Sequence, residues 1–376
     1  MRKILTLVGT RPEIIKLAQV IQVLNEHTRH VLVHSGQNYD YELNQIFFDD
    51  LKIPKPDYFL NAVGKSVAET IGNIISKFDE VLETEQPDAL LIYGDTNSCL
   101  GIIAAKRRHI PIFHMEAGNR CFDMRVPEEI NRKIVDHLSD INMVITEHAR
   151  RYLLAEGLAP ERTFKVGSSM PEVLECHQEA IGASRILETL GLEPGKFFLV
   201  SAHREENVDS PEALGALLTT LNALAEQYDF PIIFSTHPRT RARLTSLGGY
   251  TLDPRVRLLK PLGFYDYVHL QTQAACVLSD SGTIWEEASL LGFPAVTLRN
   301  AHERPEGVDE GTLIMCGLAK GQVLEAVRVT LAEVPQFKPQ PVADYLGGAV
   351  SHKVLRIILG YIDFVNQNVW RKPIVY

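Results

Sequence analysis

Residues 4–26 read ILTLVGTRPEIIKLAQVIQVLNE, and a change of period inside them decides the fold class. Ile4 to Val8 is a short, charge-free run rich in β-branched residues, the pattern of a buried strand. From Pro12 to about Glu26 the apolar residues Ile14, Leu17, Ala18, Ile21 and Leu24 recur at helical spacing. Proline suits the first helical position, where its missing N–H would be unpaired in any case. A buried strand running straight into such a helix is half of a crossover unit and implies a parallel sheet. Further strands are expected at His30–His34, Ala89–Tyr93, Ile112–His114 and Asn142–Thr146. The pattern then restarts, with Lys196–Ala202, Pro231–Thr236, Val256–Leu259, Cys276–Ser279 and Ala295–Leu298 as strands and Pro211–Gln227 as a helix. Gly167–Gly195, which holds Pro171, Gly182, Gly191, Pro194 and Gly195, reads as a hinge or linker. The expectation is an α/β protein of two doubly wound domains facing a cleft. The first spans residues 1–170 and the second 171–350, with a final helix in 351–376.

Composition bounds the class. The chain has 376 residues, with 47 acidic against 38 basic and a net charge of −9, which argues against general affinity for nucleic acid. With 45% hydrophobic and 23% charged residues it can bury a large core. No run reaches the roughly 18 apolar residues of a membrane span. The start, MRKILTLVGTRPE, lacks the apolar stretch and cleavage site of a signal peptide. Cys99, Cys121, Cys176, Cys276 and Cys316 are scattered and form no CxxC pair, so a cytoplasmic chain without disulfides is expected.

In open parallel sheets ligands bind beyond the carboxyl ends of the strands, and the unusual clusters fall there. Gly9-Thr10-Arg11-Pro12-Glu13, with Lys16 one turn on, joins helix N-terminal amides to two cations and makes a candidate anion site. It is not GxGxxG, so no dinucleotide cofactor is expected. In Tyr93-Gly94-Asp95-Thr96-Asn97, Asp95 serves either as a base or as the cap of the next helix. Glu116 follows a strand. Glu128 opens a helix whose expected apolar face is Ile130, Ile134 and Leu138, where it suits the helix dipole and an ion pair with Arg132. Three carboxylates on one rim are nonetheless what acid–base chemistry needs.

The second half carries Ser201-Ala202-His203-Arg204, whose His203 suits a phosphate contact, proton transfer or a structural place. Ser279-Asp280-Ser281-Gly282-Thr283 turns from a strand into a helix bearing Glu286 and Glu287. Its small residues admit a diphosphate, and a glutamate one turn later suits a ribose diol. A charged loop, Glu303-Arg304-Pro305-Glu306-Gly307, follows the next strand. There is no HExxH spacing, so no metal is expected. Cations and acids in one domain with a diphosphate-type helix end in the other describe a nucleotide-sugar enzyme.

Taken together, GTRPEIIK, YGDTNS, HMEAGNR, VPEEINR, AHREEN, SDSGTIWEEA and ERPEG, in this order, resemble the non-hydrolysing UDP-N-acetylglucosamine 2-epimerase family from Arg2 to at least Leu331. The resemblance implies two Rossmann-like domains in the glycosyltransferase-B arrangement, a UDP-sugar substrate, no cofactor and a homodimer. By position it implies Arg11 and Lys16 as cations facing the phosphates, and Asp95, Glu116 and Glu128 as acid–base carboxylates. It further implies His203 beside the diphosphate, Ser281 and Gly282 as its backbone site, and Glu287 as the ribose ligand. Arg304 and Glu306 lie in a family motif at the cleft without an assigned chemical role, and Arg304 is counted among the substrate-binding residues. The chain departs from the family pattern at Asn119, Thr283 and Glu205, the last replacing a cation. AGNRCFD, VPEEINRKIVDHLSD, EHARRYLLAEG and the ending SHKVLRIILGYIDFVNQNVWRK are similar to a narrower branch. That branch forms UDP-N-acetyl-L-fucosamine by inverting C2 of UDP-2-acetamido-2,6-dideoxy-L-talose, for capsule or O-antigen synthesis. A glycosyltransferase on the same frame is the rival, but no acceptor-binding amphipathic helix is evident in the first half.

Overall fold

β1 (Lys3–Val8) is buried from Ile4 onward and pairs in parallel with β2 (Arg29–His34) on one side and β4 (Ala89–Tyr93) on the other. The computed structural model describes residues 1–36, 47–236, 238–246 and 251–373. Among these, β3 (Tyr58–Phe59), β5 (Ile112–Met115), β6 (Ile141–Val144) and β7 (Thr163–Lys165) complete a parallel sheet of order β3-β2-β1-β4-β5-β6-β7. The order reverses between β1 and β4, and such switch points open a crevice at the carboxyl edge. Between β1 and β2 runs α1 (Arg11–His27), in which Arg11 precedes Pro12 and Ile14, Leu17, Ala18, Ile21 and Leu24 are buried. Between β3 and β4 lies α2 (Val67–Glu85), capped by Ser66, whose hydroxyl accepts from the Glu69 amide at 3.1 Å.

The second sheet begins with β8 (Phe198–Ser201) and β9 (Ile232–Ser235), joined by α4 (Pro211–Tyr228), after α3 (Pro127–Leu138) of the first. β10 (Val256–Leu259), β11 (Cys276–Ser279), β12 (Ala295–Thr297) and β13 (Ile314–Met315) follow, in the order β10-β9-β8-β11-β12-β13. Its switch point lies between β8 and β11. Successive residues of β8 face opposite ways, as a strand's period of two requires. Phe198 and Val200 pack with Leu217 and Leu221 of α4. Leu199 packs with Leu270 of α5 (Phe264–Gln273) and Trp285 of α6 (Ile284–Leu291). Each such large apolar side chain contributes about 1.5–3 kcal/mol on burial, which is why both faces of these strands read as uninterrupted apolar runs.

Contacts divide the chain into Met1–Cys176 with Ala343–Tyr376, and His177–Val342. The division falls inside the expected hinge, which folds as short helices at Met170–Cys176, Gln178–Gly182 and Ile186–Leu190. The last helices are α7 (Lys320–Glu333) and α8 (Val350–Asn368). α8 buries Val354, Ile358, Ile362 and Val365 and lies against α1, so it belongs with the first unit.

Two expectations are corrected. β6 ends at Val144, because the Thr146 hydroxyl instead accepts from the Ala149 amide and caps the next helix. The inward face of α3 is polar: Glu129, Arg132 and Asp136 are buried beside Asn131 and Val135, whereas Ile130 is exposed. Of the expected apolar face, Ile134 and Leu138 are partly buried against the core and Ile130 is not, and ion-paired side chains fill the rest of the inner side. Among the described residues no helix is long and apolar enough to cross a membrane. All five cysteines are free thiols.

Candidate functional site

The carboxyl edge of the first sheet gathers Arg11, Lys16, Asp95 and Glu116. Glu116 follows β5 in a left-handed backbone conformation (φ +61°) that costs a non-glycine residue about 1–3 kcal/mol and is held by its surroundings. Its Oε2 accepts from Lys16 Nζ at 2.8 Å and from the Tyr93 hydroxyl at 2.7 Å. Lys16 is 3% exposed, so its charge is committed to this pocket and is no solvated helix-surface cation. Arg11 opens α1 with its guanidinium 5.6 Å from the centre of the Phe47 ring.

Thr96 caps the following turn, its hydroxyl accepting from the Ser98 amide at 3.3 Å. The Asp95 carboxylate accepts from Arg132 Nε at 2.7 Å, and its backbone carbonyl accepts from Asn131 Nδ2 at 2.9 Å. Arg132 also reaches Glu129 at 3.1 Å, so the anticipated pair between Glu128 and Arg132 is not formed. Glu128 stands partly exposed in the first turn of α3.

Glu13 was missed by sequence reasoning, although the Thr10-x-x-Glu13 spacing of a capping box was there to find it. Its buried carboxylate accepts from the Gly9 and Thr10 amides and from the Thr96 hydroxyl, tying the loop after β1 to the loop after β4. Burial pushes its pKa up to about 7.

In the second unit His203 leaves β8 half-exposed, with Nδ1 3.4 Å from Asp280. Asp280 is wholly buried and also unforeseen. Its carboxylate accepts from the His203 and Arg204 amides and from Asn207 Nδ2 at 2.9–3.1 Å, joining the loops on either side of the switch point. At the turn into α6, the Ser281 and Thr283 hydroxyls are 2.9 Å apart. Thr283 in turn donates to Glu287 at 2.6 Å, and Gln271 donates to the other Glu287 oxygen at 2.6 Å. Thr283, a departure from the family pattern, thus orients the proposed ribose ligand. Gly282 faces Arg299, Glu303 and Arg204, each 3.5–3.9 Å from where a Cβ would stand. Arg299 and Glu303 form a buried two-bond ion pair at 2.7 and 3.0 Å. Arg304 is buried as well, 3.6 Å from Glu286 and 3.9 Å from Glu306. The Glu205 side chain lies outside the described residues. Among the described residues no group of three or more His, Cys, Asp or Glu side chains is gathered to hold a metal ion.

In the first unit Lys16 meets Glu116 and Asp95 meets Arg132 at the carboxyl edge of the sheet, while Glu128 stands apart at the start of α3. In the second, Ser281, Thr283 and Glu287 are linked at the turn into α6, His203 stands beside Asp280, and Arg304 lies on the loop after β12. The chain matches the model of the UDP-N-acetylglucosamine 2-epimerase family over residues 22–359. A solved structure of a UDP-N-acetylglucosamine 2-epimerase from Rickettsia bellii is 55% identical, with 99% of this chain and 100% of that one covered and a TM-score of 0.91. A UDP-GlcNAc 2-epimerase from Methanocaldococcus jannaschii, solved with UDP-GlcNAc and UDP, is 32% identical over 95% of this chain and 99% of that one, with a TM-score of 0.88. A UDP-2,3-diacetamido-2,3-dideoxy-D-glucuronate 2-epimerase from Pseudomonas aeruginosa is 36% identical, covering 94% of this chain and 98% of the relative.

Proposed function

The chain belongs to the UDP-N-acetylglucosamine 2-epimerase family, and from that premise we propose that it inverts C2 of a UDP-2-acetamido sugar by eliminating UDP and adding it back. The C2–H of such a sugar is not beside a carbonyl, so no enolate can form. Elimination avoids the problem: a base takes the C2 proton as the C1–oxygen bond breaks, leaving UDP and a glycal. Delivery of a proton to the opposite face of C2 and return of the UDP oxygen to C1 complete the inversion.

One observation carries this reading. Asp95 and Glu116 stand at the ends of adjacent strands in different settings, the first against Arg132, the second between Lys16 and Tyr93. Removing a proton from one face and returning it to the other needs two such separately tuned groups. Glu128, at the start of α3, is the third carboxylate of the set. Arg11 and Lys16 supply positive charge for the departing diphosphate, as do His203 and the amides near Ser281 and Gly282. Glu287, already oriented by Thr283 and Gln271, suits the ribose diol. Arg304, which lies buried beside Glu286 and Glu306 on the loop that follows β12, is the remaining member of the substrate-binding set in this reading. Two copies of the chain act together in this reading, which light scattering checks.

The substrate favoured by AGNRCFD and the C-terminal stretches is UDP-2-acetamido-2,6-dideoxy-L-talose, giving UDP-N-acetyl-L-fucosamine for capsule or O-antigen synthesis. UDP-N-acetylglucosamine is the second reading, supported by the names of the Rickettsia and Methanocaldococcus relatives. Proton NMR in D₂O with each sugar nucleotide separates them. Deuterium at C2 with inversion of the deoxy sugar alone is the expected result. Inversion of the glucosamine nucleotide selects the second reading, and no exchange with either removes the epimerase reading.

A further inference from the structure

His114 and Asp136 have no part in the chemistry above, yet they are among the most deeply buried polar side chains of the first unit, 1% and 0% exposed. His114 lies in β5. Its Nε2 donates to the Gly94 carbonyl at 2.8 Å, and its Nδ1 stands 3.0 Å from Asp136 Oδ1. Asp136, from α3, accepts from the Gly118 amide at 3.2 Å to both oxygens and from Arg120 Nη1 at 2.7 Å. Arg120 is itself clamped by Glu156 through two bonds of 2.7 and 2.6 Å.

The ends of this network are what matter. Gly94 immediately precedes Asp95, and Gly118 follows Glu116 by two residues. Gly118 holds φ +82°, where a Cβ would come within 2.6 Å of the Ala149 carbonyl oxygen, so the turn after Glu116 has one tightly bounded path. Buried ion pairs add little net stability, because desolvation offsets their attraction. Each loop is tied by a directional bond, His114 to the Gly94 carbonyl and the Gly118 amide to Asp136. The two ties meet where Nδ1 of His114 stands 3.0 Å from Asp136, a close polar contact and not an aligned hydrogen bond.

We infer that Asp136, acting through His114 and the Gly118 amide, is a positioning residue that holds Asp95 and Glu116 at their working separation. This rests on the acid–base roles proposed above for those two carboxylates. Misplacing a reacting group by about 1 Å costs on the order of 10²-fold in rate.

The test uses the full-length protein and follows C2 inversion and solvent-deuterium uptake. Asp136→Asn keeps the shape and removes the charge that faces His114, Arg120 and the Gly118 amide. His114→Gln keeps a donor toward Gly94 while losing the approach to Asp136, and His114→Asn does the reverse, so folding of Asp136→Asn is not the only route to an answer. The expected result is a fall in kcat of about 10²-fold with KM and UDP affinity kept within about threefold, which marks lost positioning and not lost binding. A folded variant with kcat near that of the parent, or a loss confined to KM, overturns the inference. Exchange by the parent protein with unchanged kcat in the variants overturns this inference alone. Absence of exchange in the parent overturns the carboxylate roles and the inference with them.

Discussion

Glu13 shows how one buried carboxyl can tie stability to pH. It sits under the first turn of α1, bonded to Gly9, Thr10 and Thr96, and burial lifts its pKa from 4.5 to about 7. The folded chain therefore binds this proton more tightly than the unfolded one. The stabilisation is complete below about pH 4.5 and is lost as pH rises through about 7. Glu13→Gln cannot ionise, so the stability of the parent relative to this variant should fall by on the order of 3 kcal/mol between pH 4 and pH 8. Urea unfolding across that range measures it, and a stability gap independent of pH would exclude the assignment. The same residue marks a limit of sequence reading. Asp95, Glu116 and His203 could be picked out because they follow recognisable strands, where ligands bind. Glu13 had only a local signal, the capping-box spacing, and its bond to Thr96 was not in it. Asp136 and Asp280 were not picked out, because their importance lies in partners from distant segments that are invisible until the strands are placed side by side.

At the level of elements, long buried strands and the amphipathic α1 were legible because their apolar periods are forced by burial. β3, β7 and β13 were not, since edge strands of two or three residues are too short to show a period. α3 misled for a different reason: its buried side is satisfied by ion pairs, so Ile130, Ile134 and Leu138 traced a stripe that is only partly the inner one. The seat of α8 was equally hidden. It depends on a close approach between Gly167, just beyond β7, and Gly347, just before α8. A Cβ on Gly167 would lie 2.6 Å from the Gly347 Cα, and φ there is +91°. Lys165 and the Glu147 amide hold Asp344 beside the same crossing. Gly167→Ala thus meets both a backbone clash and a left-handed conformation, and should cost about 2–4 kcal/mol. Hydrogen exchange should rise first in α8 and in the face of α1 that it covers. Unchanged protection of α8 in this variant would show that the crossing does not seat the helix.

For the whole molecule, the telling feature is that two doubly wound units present different chemistry at equivalent places. The first offers carboxylates and committed cations where β1 meets β4. The second offers hydroxyls, a glycine turn, a half-exposed histidine and an oriented glutamate where β8 meets β11. If the carboxylates of the first unit serve the sugar ring and Glu287 of the second the nucleotide, binding and chemistry should separate by substitution. Glu287→Ala removes a hydrogen-bonding carboxylate worth about 1.5–3 kcal/mol, so the dissociation constant for UDP should rise about 10- to 100-fold. Asp95→Asn removes a candidate acid–base group and should slow C2 inversion by about 10²- to 10⁴-fold while leaving UDP affinity near its original value. Titration calorimetry with UDP and the deuterium-exchange assay read the two effects independently. Should Asp95→Asn weaken UDP as much as Glu287→Ala does, the division of labour fails. Asp95 would then hold the nucleotide, because loss of a group that only transfers a proton has no reason to loosen UDP.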